Sequence, residues 1–215
     1  MSRALIFVNG DIVDSGAART LVQPDDVILA ADGGARHALA LGVIPSAIIG
    51  DLDSLTPSEV RVFDDMDVLL LRYPPGKDET DLELALSHAI RAGHSPIIII
   101  GAFGGRLDQT IGNLALLGSP EAIKADVRLD DGITEAFFIN GKAVIHGKPG
   151  DIVSFIPWGS PVEGVSTEGL VYPLNKETLF PDRTRSVSNQ MLARNAQVKL
   201  KSGLLLCIHI RKNSR

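Results

Sequence analysis

The chain has 215 residues, 45% of them hydrophobic and 22% charged, with a formal charge of -5 and a single cysteine, Cys207. This is the balance of a globular chain with a core to bury. The acidic sign and the lack of any Lys/Arg run argue against a nucleic-acid backbone as partner, and one cysteine excludes an intrachain disulfide or a cysteine-rich zinc site.

Along the chain, the apolar part of "MSRALIFVNG" is too short for a secretory signal and reads as a first strand. No apolar run approaches the ~20 residues of a membrane helix. A soluble cytoplasmic protein is therefore expected. Further strands are predicted at "VILAAD" (27–32), "AIIGD" (47–51), "VLLLR" (68–72) and "PIIIIGA" (96–102). These runs are continuous rather than alternating, as in parallel strands covered on both faces. Helical patterns separate them. The clearest is "TDLELALSHAIRAG" (80–93), with Leu82, Ala85, Leu86, Ala89 and Ile90 on one face. From about residue 125 the period changes. Turn pairs recur at Asp131-Gly132, Asn140-Gly141, Pro149-Gly150 and Ser202-Gly203 between short strands such as "EAFFI", "DIVSFIP", "AQVKL" and "LLLCIHI". Such spacing is typical of hairpins in an antiparallel sandwich or barrel. The expected organisation is an α/β domain over 1–130 with a doubly wound, mostly parallel sheet, followed by an antiparallel β domain over 131–215.

Acids gather where the strands end. Asp32 follows "VILAA" and precedes Gly33-Gly34; Asp51 closes "AIIGD", with Asp53 two residues on. Asp78 and Asp81 follow the fourth strand, and Asp108 follows the fifth. The C-terminal ends of parallel strands share one edge, where ligands bind. Taken singly, each acid has a structural reading. Asp81 favours a helix dipole, Thr80 and Glu83 form a T-x-x-E capping box, and Asp53-Ser54 turns the chain. Together they repel: two carboxylates about 6 Å apart cost about 3 kcal/mol at an effective dielectric near 20. A hard divalent cation, Mg2+, relieves that repulsion, and Asp51, Asp53 and Asp81 are the expected ligands. "GAFGGR" joins a strand to a helix, so Gly104-Gly105 brings backbone N–H groups to an anion, with Lys77 and Arg106 in adjoining loops for phosphate oxygens. No P-loop and no G-x-S-x-G occurs, and the five histidines show no metal spacing.

In this order, "AADGGA" (30–35), "IIGDLDS" (48–54), "KDETDLELAL" (77–86) and "GGRLDQT" (104–110) resemble the thiamin pyrophosphokinases. "VSFIPWG", "GVSTEGLVYPL" (164–174) and "SVSN" (186–189) resemble that family's C-terminal β domain. The resemblance implies transfer of a diphosphate from ATP to the hydroxyl of thiamin, giving thiamin diphosphate and AMP. It implies Mg2+, a β-sandwich domain that contributes to thiamin binding and dimerisation, and a homodimer with active sites between subunits. By motif, Asp51, Asp53 and Asp81 correspond to metal ligands, and Asp32, Asp78 and Asp108 to further site acids. Gly33, Thr80, Gly104, Gly105, Arg106 and Gln109 correspond to the nucleotide site. Tyr172 stands at the aromatic position that packs on thiamin, with Trp158 as the rival platform, and Ser188-Asn189 at the Ser-Asn substrate motif. Arg36 departs from the pattern, which commonly has a small polar residue after "DGGA"; it adds a phosphate contact or solvates a helix. Asp32 or Asp78 would take the hydroxyl proton, and Lys77 or Arg106 would stabilise phosphate charge. Three other readings use the same acids: a diphosphokinase for another heterocyclic alcohol such as a hydroxymethylpterin, a Mg2+-dependent nucleotide hydrolase, and a non-catalytic thiamin or nucleotide sensor.

Overall fold

The computed structural model describes residues 2–212. They divide into two compact units, one running to Gly132 and the other starting at Ile133.

In the first unit, β1 (Ala4–Phe7), β2 (Val27–Ala31), β3 (Ala47–Gly50), β4 (Leu69–Arg72), β5 (Ile97–Ile100) and β6 (Val127–Asp130) form parallel pairs in the order β6-β5-β1-β2-β3-β4. The chain winds outward from β1 to β4, then crosses back to β5 on the other side of β1. The topological switch thus lies between β1 and β5, where an open sheet leaves a crevice at its C-terminal edge. Between strands lie α1 (Ser15–Arg19), α2 (Ala35–Ala40), α3 (Pro57–Asp65), α4 (Asp81–Arg91), α5 (Leu107–Leu117) and α6 (Pro120–Lys124). Side chains alternate across the sheet. Leu5, Phe7, Ile28, Ala30, Ile48, Ile98 and Ile100 pack with Ala35 and Ala38 of α2 and Phe63 of α3. Helix α4 packs on β1, β2 and β3 with Leu82, Ala85, Leu86 and Ala89 buried. All four isoleucines of β5 are buried, which is why that strand shows no polar alternation.

Every predicted strand of this unit is present, with its end moved inward. β2 stops at Ala31 and β3 at Gly50, so Asp32 and Asp51 lie beyond the strands rather than closing them. β6 lies beyond the strands predicted for this unit, in the stretch after residue 125 where the period changes. Of the T-x-x-E box at Thr80 only half forms: Thr80 Oγ1 accepts the Glu83 N–H at 3.2 Å. The complete, reciprocal box is at Thr56 and Glu59, opening α3.

The second unit is an antiparallel sandwich. β9 (Ile152–Pro157) and β14 (Leu205–Ile210) pair with each other, flanked by β12 (Asn189–Gln190) and β7 (Thr134–Ile139). β10 (Val162–Glu168) and β13 (Asn195–Lys199) pair likewise, flanked by β11 (Glu177–Leu179) and β8 (Lys142–His146). The turn pairs are expected to close hairpins, and three of the four do something else. Asn140-Gly141 leads from β7 to β8, Pro149-Gly150 from β8 to β9, and Ser202-Gly203 from β13 to β14, each time into the opposite sheet. Both sheets need a partner face, so the chain alternates between them. Phe137, Val153, Phe155 and Cys207 from one sheet meet Ile145, Val165, Ala196 and Val198 from the other in one core.

A cluster of charged side chains is buried in this unit around His209. His209 is fully buried, its Nε2 3.2 Å from Asp151 Oδ2 and its Nδ1 3.5 Å from Glu135 Oε2. Asp151 also accepts the backbone N–H groups of Lys212 and Lys148. Burial pushes the Asp151 carboxyl up, but those N–H groups and His209 outweigh it and hold the pKa below the ordinary 3.8. A carboxyl depressed on folding contributes stability above its unfolded pKa and loses it as pH falls through the folded one. Thermal melts of the native chain are therefore expected to drop as pH falls below about 4, and Asp151→Asn to flatten that acid limb while lowering stability at neutral pH. An unchanged acid limb in the variant would show that Asp151 does not carry it.

Candidate active site

The C-terminal edge of the first unit's sheet holds a cavity of about 610 Å³. It lies at the switch point, bounded by Val8, Asn9 and Gly10 after β1 and by Gly101, Ala102 and Gly104 after β5. Asp32, Ser54, Thr80 and Asp81 line one part, and Arg106, Asp108, Gln109 and Asn113 another.

Asp32 owes its place to the two glycines after it. A Cβ on Gly34 would lie 2.1 Å from the Phe7 carbonyl oxygen, and one on Gly33 2.8 Å from the Asn9 side chain. The 3-10 turn Asp32–Gly34 therefore lies against β1, and Asp32 adopts φ 45° to enter it. Its carboxylate is buried, and Oδ1 has no hydrogen-bond partner. After β3 the chain turns with Leu52 at φ 63° and buried. Asp51 Oδ1 accepts the Asp53 N–H at 3.1 Å, and Asp53 itself is exposed. One carboxylate oxygen from each of Asp32, Asp51 and Asp53 lies within 4.8 Å of the others.

Asp81 lies beside this group in a different role. Its Oδ1 is 2.7 Å from Lys77 Nζ, which also stands 3.5 Å from Asp51 Oδ2. Burial raises the Asp81 pKa, with Asp51 and Asp32 adding to the rise and Lys77 opposing it. For Asp51, the Asp53 N–H outweighs burial and, with Lys77, lowers the pKa. Burial works against the Lys77 charge, yet Asp81 and Asp51 leave its pKa raised. The structure thus gathers Asp32 with the D-x-D pair, while the sequence reading put Asp81 there; Asp81 adjoins the trio through Lys77. A set of hard carboxylate oxygens with one buried, unpartnered oxygen fits Mg2+. Asp78 is exposed, next to this pair.

Gly104 at φ 79° and Gly105 at φ 65° turn the chain into α5, at the position where the sequence predicts an anion loop. Arg106 and Asp108, both exposed, face each other, with Nη2 2.5 Å from Oδ2. The Arg106 hydrogen bond holds the Asp108 carboxyl below its ordinary range. Gln109 is exposed in the first turn of α5. The sequence reading missed Asn9 and Asn113. Asn113 Nδ2 donates to the Ala102 carbonyl at 3.1 Å, tying α5 to the end of β5. The one available signal for Asn9 was "VNGD", a polar residue and a glycine directly after a strand. Arg36 is engaged by groups of the chain itself. It forks onto Glu59 at 2.5 and 2.8 Å and donates to the Ser54 carbonyl at 2.6 Å. The Arg36 bond, before those from Thr56, brings the Glu59 pKa down to about 2.

In the second unit, Tyr172, Ser188 and Asn189 come together. Asn189 Oδ1 accepts the Tyr172 N–H at 3.1 Å and its Nδ2 donates to the Tyr172 carbonyl at 2.7 Å. The amide of Asn189 is thus occupied by the Tyr172 main chain. Ser188 takes φ 61°, and its N–H donates to Ser154 Oγ at 2.9 Å. The Tyr172 side of this corner is open, 64% exposed. Trp158 is packed edge-on against Phe138, with ring centroids 5.4 Å apart.

An acid-lined switch-point cavity on an α/β unit, followed by a β-sandwich with an exposed aromatic corner, is the plan of a two-part transferase. Family models give that class its identity: "Thiamin pyrophosphokinase, catalytic domain" matches residues 18–129, and "Thiamin pyrophosphokinase, vitamin B1 binding domain" matches residues 143–205. The chain belongs to the thiamin pyrophosphokinase family. It is 31% identical to the thiamine pyrophosphokinase of Bacillus subtilis over 179 residues, 82% of this chain and 84% of that one. It is 26% identical to thiamine pyrophosphokinase 1 of Oryza sativa subsp. japonica over 78% of this chain and 67% of that one. The crystal structure of the Bacillus subtilis thiamine pyrophosphokinase superposes with a TM-score of 0.88, covering 98% of this chain and all of that one at 25% identity. Among the described residues, no helix is long and apolar enough to cross a membrane.

Proposed function

We propose that this chain transfers the diphosphate of ATP to the hydroxyl of thiamin. The observation that carries the reading is the Asp32, Asp51 and Asp53 group, of which Asp32 lines the switch-point cavity, in a chain of this family. The thiamin hydroxyl oxygen bonds to the β-phosphorus of ATP, the bond from that phosphorus to the α-phosphate oxygen breaks, and AMP leaves. The hydroxyl proton passes to a carboxylate of the same edge, Asp32 or Asp78. In a loose transition state, positioning and charge neutralisation matter more than a strong base.

Asp32, Asp51 and Asp53 would hold Mg2+, with Asp81 adjoining, and the ion when bound would neutralise phosphate charge. Gly104, Gly105 and the start of α5 offer backbone N–H groups to phosphate oxygens. Lys77 and Arg106 supply the positive charge, and Gly33, Thr80, Asp108 and Gln109 shape the nucleotide side. Tyr172 presents its open ring to the thiamin heterocycle, on a corner fixed by Asn189 and Ser188. The same reading includes a cytoplasmic homodimer with active sites between subunits. A hydroxymethylpterin diphosphokinase or a hydrolase is disfavoured because the vitamin B1 binding model matches the region that carries Tyr172, Ser188 and Asn189, and a non-catalytic sensor because the catalytic-domain model matches residues 18–129.

Phosphorus NMR of the chain with ATP and Mg2+, with and without thiamin, tests this. AMP and thiamin diphosphate are expected together, and only with thiamin. Intact ATP, or equal breakdown in both samples, would sink the reading.

A further inference from the structure

We infer that Arg36 is a positioning residue that holds the D-x-D loop in its metal-binding conformation. The inference rests on the proposed metal site. Five residues, Asp51 to Leu55, join β3 to the cap of α3, and two of them are the expected ligands. Leu52 and Leu55 point inward and are buried, which fixes the loop's depth. Depth alone does not fix the direction of the Asp53 carboxylate, because that side chain is exposed and its backbone follows the strained left-handed Leu52.

Arg36 supplies what is missing. Its Nη2 donates to the carbonyl of Ser54, the residue directly after Asp53, at 2.6 Å. The same guanidinium is locked by a two-bond fork to Glu59, a planar match that a lysine cannot reproduce. Glu59 is itself anchored, accepting the N–H and the hydroxyl of Thr56 at the start of α3, at 2.8 Å each. A rigid strut therefore runs from α2 through Arg36 and Glu59 to α3, with one bond reaching down to the loop between them. Arg36 follows the Asp32–Gly34 turn by two residues, so the strut also fixes the loop relative to Asp32. Arg36 is thus joined to Asp32 through the chain and to the D-x-D loop through its guanidinium. Outer contacts of this kind hold ligands in place, and their loss typically costs about 10–100-fold in metal affinity.

The test is Mn2+ binding, read by electron paramagnetic resonance, alongside thermal melting of the native chain, Arg36→Ala, Arg36→Lys and Glu59→Gln. Mn2+ uses the same hard oxygen ligands as Mg2+. Arg36→Ala is expected to weaken Mn2+ binding by about tenfold or more without loss of cooperative melting. Arg36→Lys should recover part of the loss, since an ammonium reaches one acceptor but cannot fork. Glu59→Gln keeps the guanidinium and loosens its anchor, so it should fall between Arg36→Ala and native, and it serves if Arg36→Ala does not fold. Native affinity in Arg36→Ala, or in Glu59→Gln where Arg36→Ala is unfolded, would overturn the inference alone. Failure of the native chain to bind Mn2+ would overturn the metal site and the inference with it.

Discussion

Replacing Asp53 by Asn lowers the rate of thiamin diphosphate formation by about a thousandfold, equivalent to about 4 kcal/mol of lost transition-state stabilisation, while the melting curve stays where it was. The two halves of that expectation have separate causes. Asp53 is exposed, and the Ser54 hydroxyl donates to its side chain at 3.4 Å, so an isosteric amide disturbs no packing. Its main-chain N–H, which donates to Asp51 Oδ1, is untouched. What disappears is one of three carboxylate charges whose oxygens lie within 4.8 Å of one another. An amide oxygen is a neutral and weaker ligand for a hard cation. Steady-state rates across a Mg2+ titration check the result. Near-native turnover at every Mg2+ concentration would remove Asp53 from the site.

Gly34→Ala is expected to do the reverse, acting on the fold before the chemistry. Its Cβ would meet the Phe7 carbonyl oxygen at 2.1 Å, the Phe7 carbonyl carbon at 2.5 Å and Val8 Cα at 2.8 Å. All three are main-chain atoms of the central strand and its exit, so no side chain can rotate away. Overpacking against backbone costs about 3 kcal/mol, or a fall in melting temperature of about 6–12 °C for a chain of this size. Gly33→Ala is the control. Its Cβ would first meet the movable Asn9 side chain, at 2.8 Å, rather than backbone, so its melting should change little. Equal melting of the two variants would show that the turn does not need its close approach to β1.

The parallel half of the fold was legible because its inner strands are buried on both faces, the edge strand β4 excepted. "IIII" of β5 and "AIIG" of β3 have no solvent side to encode, and the apolar runs mark the strands directly. Helix α4 was legible for the opposite reason, since its single buried stripe repeats at helical spacing. The antiparallel half was read less well. A turn pair such as Asn140-Gly141 encodes a change of direction and nothing about which strand comes next to it in space, so sheet-switching corners looked like hairpins. β11 and β12, three and two residues long, carry no period at all.

Of the site, its edge could be read and its internal grouping could not. Carboxylates after each strand follow from chain order alone. That Asp32 rather than Asp81 closes on the D-x-D pair depends on a left-handed residue and on how closely Gly34 approaches β1. The same limit hid Arg36, whose partners Ser54 and Glu59 are 18 and 23 residues away in the chain.

Asn189 spends its amide on the peptide groups of Tyr172 and leaves the phenol ring alone. Where the aromatic stands is therefore decoupled from which aromatic it is. Phenylalanine, tryptophan or histidine could replace Tyr172 without disturbing the framework that presents it, so, on the role proposed for Tyr172, this corner is a natural handle for redesigning acceptor preference one side chain at a time.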